Sequence, residues 1–185
     1  KVTGMYARFK TEEELLKSVL HSLPYDVYPK VSAIGGKKIN PDIDILEIQR
    51  FSNQVLLVGY EIKLIKFDKR SKGISWGAFY TGIGQALLYL KNGVHQAFLV
   101  LGFHESISDD KLIEEFRNWL WNKKELLKRI VGDYVSIGTY LYKGVSPSPI
   151  IKAESKFYPS DKEVELLSEE LLQKKFTFNK KLKSD

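Results

Sequence analysis

Two apolar runs joined by a short polar stretch constrain the fold most strongly. Residues 43–48 and 55–65 are rich in Ile, Leu and Val, and RFSNQ separates them. Ser52 and Asn53 within that stretch are residues that tight turns favour. The pattern predicts a β-hairpin whose two strands belong to a buried sheet.

Charged side chains interrupt this apolar hairpin at regular positions. They are Asp42 and Asp44 at the start of the first strand, and Glu61 and Lys63 in the second. Because side chains alternate between the two faces of a strand, each pair shares one face. We therefore expect all four to converge on one side of the sheet if the turn is short.

The turn decides which aspartate lies opposite Glu61. A turn at residues 52–53 pairs Glu61 with Asp44, and a turn at residues 51–52 pairs it with Asp42. Both registers keep the polar side chains on one face, whereas a one-residue change in loop length would separate them. Both aspartates remain candidates, and Asp44 is favoured as the partner that faces Glu61.

Adjacent carboxylates within an apolar frame need positive charge. They repel each other, and their burial is costly unless a cation compensates. One lysine does not balance several carboxylates, whereas a divalent ion does, and oxygen ligands favour Mg²⁺ or Mn²⁺. Such an ion can activate a water and stabilise charge on a phosphoryl group. A neighbouring lysine can position that water.

The rest of the chain predicts helices and strands in alternation. Thr11 and Glu14 form a capping box for a helix that ends at Pro24, and Pro29 marks the next strand as an edge strand. Further predictions are a loop at IGGKKINP, a helix at residues 76–93, a buried strand at 96–103, a long helix capped by Ser108 or Asp109 that runs through Ile130, a strand at 134–142, a break at GVSPSP, and a helix capped by Ser160 with Glu163.

This order predicts an α/β (α+β) fold with a mixed β-sheet flanked by helices. The length of 185 residues favours one domain over residues 1–185. Its core covers about residues 11–103, a C-terminal extension of helix, strand and helix covers about 104–173, and a lysine-rich tail covers 174–185.

Pro41-Asp42 followed by Glu61-Ile62-Lys63 resembles the signature of the PD-(D/E)xK nuclease superfamily. The element order αβββαβ is similar to the restriction-endonuclease-like core of that family. Glu12, with apolar residues three, four and seven positions later, resembles the helix glutamate of archaeal Holliday junction resolvases. Gln85 and Tyr89 resemble the Gln-x-x-x-Tyr helix of RecB-like members.

The resemblance implies a Mg²⁺-dependent (or Mn²⁺-dependent) deoxyribonuclease, an endonuclease whose substrates include branched DNA. It implies that Asp42 or Asp44, with Glu61 and Glu12, hold the metal, that Lys63 positions the attacking water, and that Gln85 helps to orient it. By the same analogy the protein acts as a homodimer. The composition is typical of an archaeon or an archaeal virus. The alternative is a catalytically inactive nucleic-acid-binding module on the same fold.

Basic residues flank this motif on both sides. They are Lys37 and Lys38 before it, and Lys66, Lys69, Arg70 and Lys72 after it. Lysine and arginine that neutralise phosphates give salt-dependent binding, so these residues are candidate DNA contacts. The formal net charge of +6 agrees with a polyanionic partner.

Composition excludes several classes of site. The chain has no cysteine, which excludes disulfides, thiol nucleophiles and a cysteine-ligated iron–sulfur cluster. No apolar run approaches the roughly 20 residues that span a bilayer, and KVTGMYARFK is too polar for a signal peptide. These features predict no membrane association and an intracellular location, in host cytoplasm if the protein is viral.

Overall fold

The fold is given by a computed structural model, which describes residues 4–34, 37–52 and 54–157. The helices are α1 (Glu12–Ser22), α2 (Gly77–Tyr89), α3 (Asp110–Asn122) and α4 (Lys124–Val131). The strands are β1 (Asp26–Ile34), β2 (Lys37–Phe51), β3 (Gln54–Ile65), β4 (Phe67–Asp68), β5 (Gly73–Ile74), β6 (Gln96–Phe103), β7 (Val135–Thr139) and β8 (Ser148–Ile151).

Six strands form one mixed sheet in the order β1-β2-β3-β6-β7-β8. The central strands β3, β6 and β7 are parallel, and the outer pairings are antiparallel. Strands β4 and β5 form a separate two-stranded hairpin. This architecture confirms the α/β (α+β) prediction of a mixed sheet flanked by helices.

Local sequence signals set the ends of the first two helices. The side chain of Thr11 accepts a hydrogen bond from the main-chain N–H of Glu14, as the capping box predicts. After α2, one turn of 3₁₀ helix ends at Gly93, whose φ of 97° suits a residue without a side chain. Pro29 lies in β1, which is the edge strand that the proline predicts.

Apolar side chains cover both faces of the sheet. Helix α1 buries Leu15, Leu16, Val19 and Leu20 against one face. Helix α2, together with α3 and α4, covers the other face, where Phe79, Ala86 and Tyr89 are buried. Both faces of the central strands are therefore withdrawn from water, as the near-continuous apolar sequence of β6 predicts.

Two predicted loops are partly strand in the structure. The loop predicted at IGGKKINP is wrong from Lys37 onward, because pairing with β1 starts β2 at that residue. The predicted break at GVSPSP is also wrong at its end, where Ser148–Ile151 pairs with β7 as the edge strand β8. Both are long-range pairings, which local turn residues do not report.

The long helix predicted to run through Ile130 is two helices. Asp109 caps α3, as predicted, but Lys123 leaves helical geometry and α4 starts afresh after it. Leu127 and Val131 of α4 are buried in the core. The helix predicted from Ser160 and the tail at 174–185 lie outside the described residues. None of the four described helices is both long and apolar enough to cross a membrane.

The closest approach of β7 and β8 gives a first prediction. A Cβ atom at Gly138 would lie 2.2 Å from the main-chain oxygen of Ser148, so Gly138→Ala forces two backbones apart. We expect it to lower the free energy of unfolding by about 2 kcal/mol. The measurement is urea denaturation followed by circular dichroism.

Gly84→Ala is the matched control. A Cβ atom there would meet nothing within 4 Å, and the residue lies within α2. Because the variant replaces a glycine within a helix by alanine, we expect it to raise the free energy of unfolding by up to about 1 kcal/mol. Equal stability of the two alanine variants would contradict the close packing of β7 on β8.

Candidate active site

The candidate site lies where β2 and β3 separate. Their pairing ends at Ile45 and Tyr60, but β3 continues to Ile65. Beyond that point, the N–H groups on the edge of β3 that faces away from β6 need other acceptors. A buried N–H without an acceptor is costly. The N–H of Ile62 donates to Oδ2 of Asp44 at 2.8 Å, and that of Leu64 donates to Oε2 of Glu12 at 3.4 Å. The carboxylates of Asp44 and Glu12 thus accept the hydrogen bonds that carbonyl groups of β2 would otherwise accept.

The register of the hairpin brings Asp44 beside Glu61. Phe51 pairs with Gln54, which confirms the register predicted for a turn at residues 52–53. Asp44 and Glu61 occupy the next position after the last pair of the ladder. The negative charge of Glu61 raises the pKa of Asp44.

Both carboxylate oxygens of Glu61 contact protein groups. The side chain is buried, with 2% of the residue exposed. Its Oε1 lies 3.2 Å from Nζ of Lys63, and its Oε2 accepts a hydrogen bond from the hydroxyl of Tyr89. The glutamate therefore sits at the centre of the cluster.

Lys63 connects this buried glutamate to α1. Its Nζ lies 3.9 Å from Oε1 of Glu12, so one ammonium contacts two carboxylates. Gly82 on α2 leaves room for the lysine stem, since a Cβ atom there would lie 2.9 Å from Cγ of Lys63. A larger residue at position 82 would displace the lysine, and also Leu99, whose Cδ1 would be 2.6 Å away.

Loss of water raises the pKa of both sheet carboxyl groups. Partial burial, and then repulsion from Glu61, raises the pKa of Asp44 to about 7. Burial likewise raises the pKa of Glu61, although Tyr89 and Lys63 oppose the change. A single lysine does not compensate this cluster, so it has an affinity for a proton or for a further cation.

Helix α2 supplies Tyr89 to the site. Besides its bond to Glu61, the hydroxyl lies 3.0 Å from the carbonyl oxygen of Asp42 and accepts from the N–H of Asp44 at 3.3 Å. Burial and the two neighbouring carboxylates raise its pKa. The phenol therefore keeps its proton and acts as a donor.

Gln85 lies one turn before Tyr89 on the same helix. Its Oε1 is buried, and no hydrogen-bond partner for it is present within the described residues. Gly82, Gln85 and Tyr89 share one face of α2, by the three- and four-residue spacing of a helix. An amide oxygen without a partner on that face is a candidate ligand or water acceptor.

Asp42 differs from Asp44 in its surroundings. Its side chain is exposed, and its recorded contact with the site is through the main-chain carbonyl. The structure thus distinguishes the two acids that the motif left open. Asp44 is integrated in the cluster, and Asp42 stands at its border.

An open depression gives solvent access to the cluster. It has a volume of about 290 Å³ and is lined by Glu12, Lys63, Leu64, Lys66, Ser75, Ala78 and Thr81. Lys63 therefore faces both the buried carboxylates and the solvent. A bound molecule in this depression would contact the amine directly.

Four of the six predicted DNA-contacting residues lie at this depression or at the hairpin that follows Lys66. Lys69, Arg70 and Lys72 are exposed in the tip between β4 and β5, and Lys66 precedes that hairpin. Asp68 stabilises the tip by accepting hydrogen bonds from the N–H of Arg70 and the hydroxyl of Ser71, each at 3.0 Å. Sequence reasoning missed the hairpin, since two-residue strands carry no periodicity.

Lys37 and Lys38 lie at the start of β2. Lys38 is exposed and pairs with Ala33 of β1, and Lys37 pairs with Ile34. Because β2 is antiparallel to β3, it begins at the end of the sheet where β3 finishes. Both lysines thus belong to the same end of the sheet as Lys66.

Within the described part of the chain, no group of three or more His, Cys, Asp or Glu side chains is placed to hold a metal ion. In place of a third carboxylate, the ammonium of Lys63 contacts Glu61. The donors themselves suit a hard divalent ion, since carboxylate and amide oxygens predominate. The buried, partnerless Oε1 of Gln85 adds a further oxygen of that kind.

Tyr89 is the residue that the prediction of site residues omitted. Its spacing from Gln85 was visible in the sequence, but an apolar helix position with a tyrosine is usually a core position. The contacts of its hydroxyl with Glu61, Asp42 and Asp44 appear only in three dimensions.

Comparisons of this chain with protein-family models, with curated proteins and with solved structures gave no match.

The raised pKa of Asp44 predicts a pH dependence of stability. Between pH 4 and its native pKa of about 7, the folded protein keeps a proton that the unfolded chain has lost. Stability therefore falls as pH rises through this window, and the full loss is present above it. Asp44→Asn removes the effect, so at pH 8 in EDTA it should unfold at higher urea than wild type, with a gain of at most about 4 kcal/mol.

The difference between the two proteins should disappear below about pH 3, where Asp44 carries its proton in both the folded and the unfolded state. Asp42→Asn is the control, because it makes the same change at an exposed position of the same strand. An equal gain from both asparagine variants at pH 8 would show that the burial of Asp44 is not the cause.

Proposed function

We propose that this protein is a metal-dependent DNA nuclease that hydrolyses phosphodiester bonds. The observation that supports this best is the cluster of Asp44, Glu61, Lys63 and Glu12 at the border of a solvent-accessible depression. The motif residues are distant in sequence, yet Lys63 contacts both Glu61 and Glu12, and Asp44 accepts a hydrogen bond from the N–H of Ile62, which lies between Glu61 and Lys63. A set of carboxylates with one amine is the chemistry that the resemblance to PD-(D/E)xK nucleases requires.

Asp44 and Glu61 would hold the ion, and Asp42 lies at the border. Glu12 would add a ligand directly or through a water, although the three carboxylates do not converge as a ready metal site within the described residues. Their carboxylate oxygens are donors that suit Mg²⁺ or Mn²⁺. When bound, such an ion lowers the pKa of a coordinated water and stabilises negative charge on a phosphoryl group.

Lys63 would act on the water and on the phosphate. Its ammonium is anchored by Glu61 at 3.2 Å and borders the depression, so it can donate a hydrogen bond to a phosphate oxygen there. Tyr89 would hold Glu61 in position by its hydroxyl. Gln85 would orient the water through its partnerless oxygen.

The exposed basic residues would bring the DNA backbone to the depression. Lys66 lines it, and the hairpin tip with Lys69, Arg70 and Lys72 lies next along the chain. Lys37 and Lys38 would contact phosphates from β2. By analogy with Holliday junction resolvases, the protein would act inside the cell as a homodimer that cuts two strands.

One observation favours the alternative, a nucleic-acid-binding module without catalysis. Both oxygens of Glu61 already have protein partners, so the cluster is stable as an internal ion pair. In that case the carboxylates would serve to complete the separated sheet. The two proposals differ in whether the metal ion matters.

Cleavage of labelled four-way junction, flap, duplex and single-stranded DNA tests the proposal. We expect cutting in Mg²⁺ or Mn²⁺ but not in EDTA. Glu61→Gln and Lys63→Ala should each lower the rate at least about 100-fold, because they remove a ligand or the water-positioning amine. The measurement is the initial rate of product formation on a denaturing gel.

Glu47→Gln is the matched control for Glu61→Gln. Glu47 is also buried in the hairpin, but it accepts hydrogen bonds from Tyr60 and Gln49 on the opposite face of the sheet. It should retain wild-type cleavage. DNA binding without cleavage of any substrate by the wild type would favour the binding module instead.

The hairpin tip gives a prediction for affinity. Replacing Lys69, Arg70 and Lys72 together by alanine should weaken DNA binding and reduce the slope of log affinity against log salt by about 3, since each cation contacts a phosphate. Fluorescence anisotropy at several salt concentrations measures both quantities.

The control is a triple alanine variant at Lys111, Lys123 and Arg129. These cations are exposed on α3 and α4 or between them, and the variant has the same net charge as the hairpin variant. It should keep a slope near that of wild type. If both triple variants lost affinity equally, overall charge and not the hairpin would determine binding.

A further inference from the structure

The outer face of α2 has an unusual composition. Its exposed residues are Gly77, Tyr80, Thr81, Gly84 and Leu88, so an aromatic ring stands between two glycines. The inner face of the same helix packs on the sheet and contacts the catalytic cluster. We call Gly77, Tyr80 and Gly84 the α2 platform.

Tyr80 presents an aromatic ring to solvent. It is 62% exposed, and it stacks on Trp76 with 6.3 Å between ring centroids and 25° between planes. Trp76 is itself held by Trp119 and Phe116, with centroids 4.6 Å and 5.1 Å away. The exposed ring is therefore supported from beneath by a packed aromatic cluster.

The fold does not require the two glycines beside Tyr80. A Cβ atom at Gly77 or Gly84 would meet nothing within 4 Å, and neither residue has a positive φ. Glycine in a helix is less stable than alanine. Its use at two open positions is explained if another molecule must approach the helix closely.

The α2 platform adjoins both the depression and the basic hairpin. Ala78 and Thr81, which alternate with its residues, line the depression together with Lys63. Strand β5 of the hairpin ends at Ile74, two residues before Trp76. A strand whose phosphates contact Lys66 and the hairpin tip would have its bases near the exposed ring.

We propose that the α2 platform binds an unpaired segment of the DNA substrate, with a base stacked on Tyr80 and the strand lying against Gly84. This rests on the proposed nuclease function and specifies its substrate as DNA with a single-stranded portion. Stacking needs a base whose face is free, which a duplex does not offer along its length. The exposed ring of Tyr80 is the surface on which such an unpaired base would stack.

The test measures binding apart from cleavage. Fluorescence anisotropy in EDTA compares a labelled single strand with a duplex of the same sequence, for wild type, Tyr80→Ala and Tyr80→Phe. Tyr80→Ala should weaken binding of the single strand about tenfold and leave duplex binding within about twofold, because one stacking contact is lost. Tyr80→Phe keeps the ring and should bind as wild type does.

A second variant tests the close approach at the glycine. Gly84→Gln should fold, with a higher melting temperature, because glutamine is a better helix former. It should nevertheless weaken binding of the single strand by its added side chain. Tyr25→Ala is the control, since Tyr25 is 47% exposed and lies outside α2; it should leave binding unchanged.

The outcomes separate this proposal from the nuclease function. Equal binding of the single strand by wild type and Tyr80→Ala, or an equal loss for single strand and duplex, would overturn the stacking role. Metal-dependent cleavage that needs Glu61 would still establish the nuclease. Conversely, Tyr80-dependent binding with no cleavage would keep the α2 platform and remove the nuclease. Binding of neither DNA by wild type would refute both.

Discussion

The separation of β2 from β3 after Ile45 and Tyr60 is the constraint on which the site depends. Two N–H groups of β3 lose their strand partner there, and carboxylates of Asp44 and Glu12 accept their hydrogen bonds. These hydrogen bonds orient both carboxylates toward β3. The hydrogen bonds that satisfy β3 therefore also bring two carboxylates close to a third, that of Glu61, whose charge raises the pKa of Asp44.

This cluster combines buried carboxylates with a lysine that solvent can reach. Burial raises the pKa of Asp44 and Glu61, while Lys63 and Tyr89 lower the cost of charge on the glutamate. Yet Lys63 also lines an open depression, so the charged groups are not sealed in the core. A structural ion pair needs no such opening. The opening, and the helix face with Tyr80 beside it, are the observations that support the proposed role toward an external phosphate.

The sequence predicted the central elements well, and it failed where distant segments meet. Capping at Thr11, the edge position of Pro29 and the register of the hairpin follow from local rules, and all three are present. Strand β8 and the early start of β2 depend on partners far along the chain, so turn-like residues such as those of GVSPSP gave no sign of them.

For the site, the sequence by itself determined which residues can share one side of the hairpin, since strand alternation and a two-residue turn set the parity. It favoured Asp44 as the partner of Glu61 but left Asp42 as a candidate. Only the tertiary structure decided between them, because the strands diverge and Asp44 alone turns its carboxylate onto β3. It also decided that Tyr89 belongs to the cluster, since the packing of α2 on the sheet places a core-like tyrosine against Glu61.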